Sequence, residues 1–348
     1  MHIFQNPYRH AEKRINVPDV VPTPSIDAQK PLALLKRCPI AKVTPLRDAA
    51  ALAEQLGIAS LFVKDERSRM GLGSFKALGA AYVIATDAAA IGGEDLSRVL
   101  ADRTYVTASA GNHGLSVAAG ARIFGAKAVI YLANSVPESF AERLRGMGAT
   151  VVRAGDIYEQ SVAAAVKVAG NNGWTLLSDT SWDKYYEAPH LLMEGYCVLM
   201  AEIFDQILHV PTHVFLQAGV GGLAGAAAAM ARAKWADAPQ IIVVEPEFAP
   251  ALMASVKAGH AVVTDGPVSD MGRLDCKEPS LIALKGLCQD ADTFITISEE
   301  EALAAIPILA KHDLAASTSG GAGIAAVLAG FALPSDARVL CVLSEGPS

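Results

Sequence analysis

The chain has 348 residues, enough for about two domains of ordinary size. With 52% hydrophobic, 19% charged and 6% aromatic residues, it reads as a globular protein of tightly packed helices and strands and excludes a disordered chain. A formal net charge of -7 without any long Lys or Arg run leaves no electrostatic reason for a nucleic-acid or anionic-membrane partner, so the expected partner is a small molecule.

Met1 to Lys13 is polar and leads into no apolar stretch, so no secretory signal is visible. Asn16 to Pro45 is rich in proline and reads as an extended arm lying over a body. Asp48 to Leu56 reads as a helix closed by Gly57, and Leu61 to Lys64 as a short strand. The loop Gly71-Leu72-Gly73 then leads to Ser74, a candidate cap for a helix running through Lys76, Leu78 and Tyr82. A lysine at a helix start is unusual, because that end of the dipole disfavours a cation by roughly 0.3 to 1 kcal/mol. A Schiff base would remove the charge, which makes Lys76 a candidate nucleophile; an exposed surface lysine is the plain alternative.

From residue 104 strand and helix alternate: strand Tyr105-Val106-Thr107, helix from His113, strand Ala128 to Leu132, helix from Pro137, strand Thr150 to Arg153 and helix Tyr158 to Ala169. The first turn in this series is Ser109-Ala110-Gly111-Asn112-His113-Gly114. Its small residues let backbone N–H groups approach an anion such as a carboxylate, and Asn112 can bond an oxygen. After the strand-like Thr175 to Leu177 comes Asp179, either a site acid or a turn residue.

A second series runs from strand Val214 to Gln217 through Gly219-Val220-Gly221-Gly222-Leu223 into the Ala-rich helix Ala224 to Met230. It continues to strand Ile241 to Glu245 and ends with strand Arg338 to Leu343. A glycine loop of this kind cradles phosphate with its N–H groups; with Gly225 and Glu245 it also resembles a loose dinucleotide fingerprint, although not a strict GxGxxG. Both series imply an α/β fold of mainly parallel sheets covered by helices. The glycines also interrupt the longest apolar run, Val214 to Ala231, and make a loop the better reading than a membrane span. Five cysteines, Cys38, Cys197, Cys276, Cys288 and Cys341, form no CxxC pair, which favours reduced thiols and a cytoplasmic protein. His209 and His213 are separated by Pro211 and make no metal pair, and neither GxSxG nor HExxH occurs.

Several segments, taken in order, carry a resemblance. They are Lys64-Asp65-Glu66-Arg67-Ser68-Arg69-Met70-Gly71-Leu72 with Ser74-Phe75-Lys76-Ala77-Leu78-Gly79, the SAGNHG turn, Asp179-Thr180-Ser181-Trp182, Gln217-Ala218-Gly219-Val220-Gly221, Val244-Glu245-Pro246, Cys276-Lys277-Glu278-Pro279 and Ser344-Glu345-Gly346. Together they resemble the fold-type II pyridoxal phosphate enzymes, the tryptophan synthase β and threonine dehydratase group, and within it the diaminopropionate ammonia-lyases.

That resemblance implies a two-lobed α/β fold, with residues 80–204 as the small domain and 1–79 with 205–348 as the large cofactor-binding one, and a homodimer. It implies β-elimination from a small amino acid, first among them 2,3-diaminopropionate, to a 2-oxo acid (pyruvate) and ammonia. An L-serine or L-threonine dehydratase is the alternative on the same fold. Lys76 would hold pyridoxal 5'-phosphate covalently, Asn112 would bond its phenolic oxygen, Gly219, Val220, Gly221, Gly222 and Leu223 would hold its phosphate, and Ser344 would face its pyridine nitrogen. Ser109, Ala110, Gly111, His113 and Gly114 would bind the substrate, with Asp179 near its amino groups as a proton carrier. The ammonia-lyases carry an aspartate just before the Gly-Asn-His turn, where this sequence has Ala110. The change removes a candidate base and a partner for a cationic β-amine, and it counts against a D-substrate. Outside this class, a nicotinamide-dependent oxidoreductase would use Gly219 to Gly225 and Glu245 for a dinucleotide, and a non-catalytic amino-acid-binding regulator would keep the lobes and bind ligand without turnover, but neither needs Lys76.

Overall fold

The computed structural model describes residues 1–93 and 95–347; residues 94 and 348, which fall inside the two expected lobes, lie outside the described residues. Its strands are β1 (His2–Gln5), β2 (Leu46–Asp48), β3 (Ser60–Asp65), β4 (Thr104–Ala108), β5 (Lys127–Leu132), β6 (Thr150–Arg153), β7 (Thr175–Leu176), β8 (His213–Gln217), β9 (Gln240–Pro246), β10 (Thr293–Ile297) and β11 (Arg338–Leu343). They form a seven-stranded sheet in the order β1-β10-β9-β8-β11-β3-β2 and a four-stranded sheet in the order β6-β5-β4-β7. The larger sheet is parallel except at its edges, where β1 on β10 and β2 on β3 are antiparallel. The smaller is parallel throughout.

Every residue of β8 and β10 is buried. Helices cover both faces of such a strand, which explains runs such as Val214-Phe215-Leu216 without polar alternation. One cover is the helix Gly222–Trp235, whose small residues allow close approach. A Cβ on Gly225 would sit 3.1 Å from Met193 Cε, on helix Glu187–Gln206, and 3.3 Å from Ala283 Cα, on helix Leu281–Asp290.

Some local structure departs from the sequence expectation. The proline-rich arm contains a helix, Gln29–Leu35, with Pro31 in its first turn, where a backbone N–H would have no intrahelical partner. The polar N-terminus supplies the edge strand β1. Lys76 does not open an α-helix: Phe75–Leu78 is a 3₁₀ turn, Ser74 makes no capping hydrogen bond, and the α-helix is Ala80–Ile91. Gly79 explains the break, because a Cβ there would lie 2.7 Å from Tyr196 Cε1, so the turn is pressed onto helix Glu187–Gln206. The dipole argument for Lys76 therefore falls away.

The segments bearing candidate chemistry follow the C-terminal ends of parallel strands. β3 leads to Lys76, β4 to the Ser109 turn, β7 to Asp179, β8 to the glycine loop and β11 to Ser344. Because β8, β11 and β3 are neighbours, three of these segments converge, as ligand sites of open α/β sheets do.

Candidate active site

The chain reaching Lys76 is pinned from behind. At the end of β3 the Asp65 side chain accepts the Arg67 N–H at 3.2 Å and starts the turn Glu66–Gly71. Lys64 Nζ donates to Thr44 O and Glu202 Oε2, both at 2.7 Å, and to Gln206 Oε1 at 2.9 Å. Arg69 donates at 2.7 Å to Glu66 and to Glu202. All four charged side chains are buried and matched, which is the condition for keeping charge inside a protein. This network ties the turn to helix Glu187–Gln206, and Gly73, at φ +81°, then takes a left-handed conformation and redirects the chain toward Lys76.

Loops from both sheets enclose a cavity of about 470 Å³. Lys76, Ser109, Ala110, Gly111, Asn112, His113, Asp179, Gly219, Val220, Gly221, Gly222, Leu223 and Ser344 all line it. Gly114 is not on this wall. Its N–H donates to Ser109 Oγ at 3.1 Å and a Cβ there would sit 3.0 Å from Ser109 O, so packing of the turn requires that glycine.

The glycine loop forms an anion cradle. A Cβ on Gly219 would lie 2.9 Å from Cys276 Sγ and 3.1 Å from Leu274 Cα; Gly221 has φ +95°. The N–H groups of Gly219, Gly221, Gly222 and Leu223 have no oxygen acceptor among the described residues, and the helix they open has no side-chain cap. Such a helix start binds phosphate. Glu245, the acid a dinucleotide ribose would require, is committed elsewhere: it accepts the N–H groups of Leu252 at 2.7 Å and Met253 at 2.8 Å, and burial pushes its carboxyl up to about 8.

Across the cavity Lys76 Nζ donates to Asp179 Oδ2 at 2.6 Å. Burial pulls the lysine down, but the Asp179 carboxylate outweighs it and the amine ends above its ordinary 10.5. Burial pushes Asp179 up, while Lys76 and His113 hold it well below 3.8. The pair is therefore ammonium and carboxylate. Burial lowers His113, whose Nε2 lies 2.8 Å from Leu177 O, so the ring is neutral with its proton on Nε2. The edge-to-face rings of Phe75 and Tyr196 flank Lys76 Nζ, with centroids 5.1 and 5.8 Å away. Asn112 Nδ2 donates to Glu345, which also accepts from Ser317 Oγ.

A family model described as pyridoxal-phosphate dependent enzyme matches residues 39–345. The chain belongs to the pyridoxal-phosphate dependent enzyme family. Within it the chain groups with the diaminopropionate ammonia-lyases. That of Salmonella typhimurium is 35% identical over 295 residues, covering 79% of this chain and 72% of that protein. The solved structure of the Escherichia coli diaminopropionate ammonia-lyase in complex with an aminoacrylate-PLP azomethine reaction intermediate matches with a TM-score of 0.87 at 28% identity, over 99% of this chain and 93% of that one. The L-serine dehydratase/L-threonine deaminase of Mus musculus is 29% identical, covering 87% of this chain and 85% of that protein.

The cavity fits the pyridoxal phosphate of this family. It offers the Lys76 amine and a row of N–H groups, without oxygen acceptors among the described residues, in a loop where a methyl group added at Gly219 or Gly221 would crowd its neighbours. Sequence reasoning missed part of the wall: Asp156, Tyr158, Glu159, Arg273 and Asp275 also line it. The stretch 154–159 and the irregular segment 268–277 carry no motif of their own. Only the Cys276-Lys277-Glu278-Pro279 match pointed to the second. Cys276 itself is a neutral wall group, its thiol pushed up to about 12 by burial.

Proposed function

We propose that this enzyme eliminates ammonia from the β-carbon of a small amino acid, with 2,3-diaminopropionate as the first substrate to test. The observation that carries the reading is the 2.6 Å contact of Lys76 Nζ with Asp179 Oδ2 in the same cavity as a phosphate-type cradle. When bound, pyridoxal phosphate supplies an electron sink that acidifies the substrate α-carbon. Lys76 would hold the cofactor through its side-chain amine and would be free to act once substrate is bound. The freed Lys76 amine, next to Asp179, then takes the α-proton and returns a proton to the departing β-amine. Asn112 would orient the cofactor, and the Ser109–His113 turn would take the substrate carboxylate on its N–H groups. Ser344, on the cavity wall, would offer the ring nitrogen a hydroxyl, which unlike a carboxylate would not enforce its protonation and so would disfavour transamination. The three-carbon enamine released adds water to give pyruvate and a second ammonia.

Asp156 and Glu159, which form no ion pair among the described residues, leave carboxylates on the wall that favour a cationic β-substituent. Ala110 favours the second reading, dehydration of L-serine or L-threonine, because its methyl group offers an amine no partner. The absorbance spectrum with product analysis separates these readings. A band near ~410 to 420 nm that borohydride abolishes marks cofactor held on a lysine. Pyruvate and ammonia appearing in a 1:2 ratio from diaminopropionate is the expected result; 2-oxo acid formed only from serine or threonine selects dehydration. No band and no product, with pyridoxal phosphate supplied, overturns both.

The same reading takes 80–204 as one lobe against 1–79 and 205–348, a division supported by a four-stranded sheet built wholly from strands between 104 and 176. It includes a homodimer, tested by light scattering. It also includes a cytoplasmic location, supported by five free cysteines and tested by fractionation. Among the described residues no helix is long and apolar enough to cross a membrane.

A further inference from the structure

Among the described residues, one cation on the cavity wall has almost no protein partner. Lys76 is held by Asp179, and Lys277 Nζ donates to Phe248 O at 2.7 Å, Pro267 O at 2.9 Å and Asp275 Oδ1 at 2.7 Å, which uses its three protons. Arg273 differs. Its Nη1 reaches only Ala110 O, at 3.5 Å, and its Nε is 3.8 Å from Glu345 Oε2, beyond hydrogen-bond range. Its side chain is 40% exposed, so solvent screens that ion pair. Most of its N–H donors have no acceptor among the described residues.

The guanidinium is nonetheless placed. A Cβ on Gly111 would sit 3.1 Å from Arg273 Cδ and 3.3 Å from Nε, so the side chain lies against the Ser109 turn. Immediately after Gly111, the N–H groups of Asn112 and His113 open the helix Asn112–Ile123 and have no acceptor among the described residues. A guanidinium and a helix start, both favouring an anion, meet at the same point of the cavity. The backbone holds Arg273 there: its N–H donates to Ser319 Oγ at 3.1 Å, and its carbonyl packs against Gly219. The segment thus spans from the phosphate cradle to the substrate turn.

We propose that Arg273 is a specificity-determining residue, clamping the α-carboxylate of the amino-acid substrate onto the Ser109–His113 turn. Guanidinium and carboxylate can pair through two parallel hydrogen bonds, so the site selects amino acids with a free carboxylate over their amides. This inference rests on reading the cavity as an amino-acid site.

Arg273→Ala and Arg273→Lys holoenzymes test it against wild type, using 2,3-diaminopropionate and its carboxamide. Loss of a charge-assisted pair predicts an increase of about 10- to 100-fold in KM for the acid in Arg273→Ala, with kcat and the melting temperature nearly unchanged. Arg273→Lys recovers part of the loss. For the carboxamide, wild type and Arg273→Ala have equal KM. Binding of L-alanine, which has no β-leaving group, is followed by the cofactor absorbance and weakens by the same factor as KM for the acid. Equal losses for acid and amide, unchanged L-alanine binding in Arg273→Ala, or no L-alanine binding by wild type each overturn the clamp. Failure of wild type to turn over diaminopropionate overturns the proposed elimination instead, and the L-alanine comparison still decides the role of Arg273.

Discussion

Replacing Gly219 by alanine puts a methyl group 2.9 Å from Cys276 Sγ, 3.1 Å from Leu274 Cα and 3.3 Å from Arg273 O. Two of these are backbone atoms, so no rotamer change relieves the contact and the segment 273–276 or the loop itself must shift. Overpacking of this kind costs about 1 to 3 kcal/mol. Gly222→Ala is the control, because its nearest neighbours, Met193 Cγ and Tyr196 Cε2, would be 3.7 Å away, at ordinary contact distance. If the loop absorbs the shift, its N–H groups lose their aim on the phosphate. The cost then appears in cofactor affinity as an increase in Kd of roughly 5- to 150-fold. Titration of apoprotein with pyridoxal phosphate, together with melting of the apo and holo forms, measures both quantities. Gly219→Ala is expected to destabilise the holo form more than the apo form, and Gly222→Ala to stay near wild type in both. Equal losses in the two forms, with cofactor affinity unchanged, would refute the assignment of the phosphate to this loop. A harmless Gly219→Ala would refute the packing argument.

Asp179→Asn removes the carboxylate that raises Lys76, so burial dominates and the apoprotein amine titrates below its ordinary 10.5; an amine-directed reagent should label it faster than wild type at about pH 8. Asp179 is depressed on folding, so its contribution to stability is present above 3.8 and is lost as pH falls through its lower folded value. Lys76 is raised, so its contribution is present below 10.5 and is lost as pH rises through its higher folded value. The Asp179→Asn apoprotein should therefore lose less stability as pH falls below 3.8 and, with its Lys76 amine lowered, gain stability as pH rises toward 10.5; a profile identical to wild type would rule out the pair. Glu202→Leu leaves Lys64, with a side chain 0% exposed, without its carboxylate and should cost about 3 to 5 kcal/mol in chemical denaturation. A loss under about 1 kcal/mol would mean that the network counts no more than a surface pair.

The readable parts of the site are those whose chemistry is local. A glycine loop between a buried strand and an Ala-rich helix has few uses besides close approach to an anion, and β8 with its following helix lies where the apolar run and the glycines placed them. The unreadable parts depend on distant partners. The kinked turn before Lys76 is held by Glu202, which is 133 residues from Arg69, so local capping rules assign an α-helix where tertiary contacts impose a 3₁₀ turn. Gly114 belongs to the right motif, but sequence cannot tell which glycine of a turn faces a ligand and which faces Ser109.

The sequence alone determined the α/β alternation, the order of the lysine, SAGNHG and GVGG segments and the resemblance they carry, because these rest on chemistry within a few residues of one another. Tertiary structure alone decided that Lys76 meets Asp179, 103 residues away, that Glu245 caps a helix and that Arg273 comes to rest over Gly111. Those outcomes depend on which strand ends become neighbours in a sheet and on the direction each side chain takes from its loop. Burial then turns those contacts into shifted charges, which no stretch of sequence contains by itself.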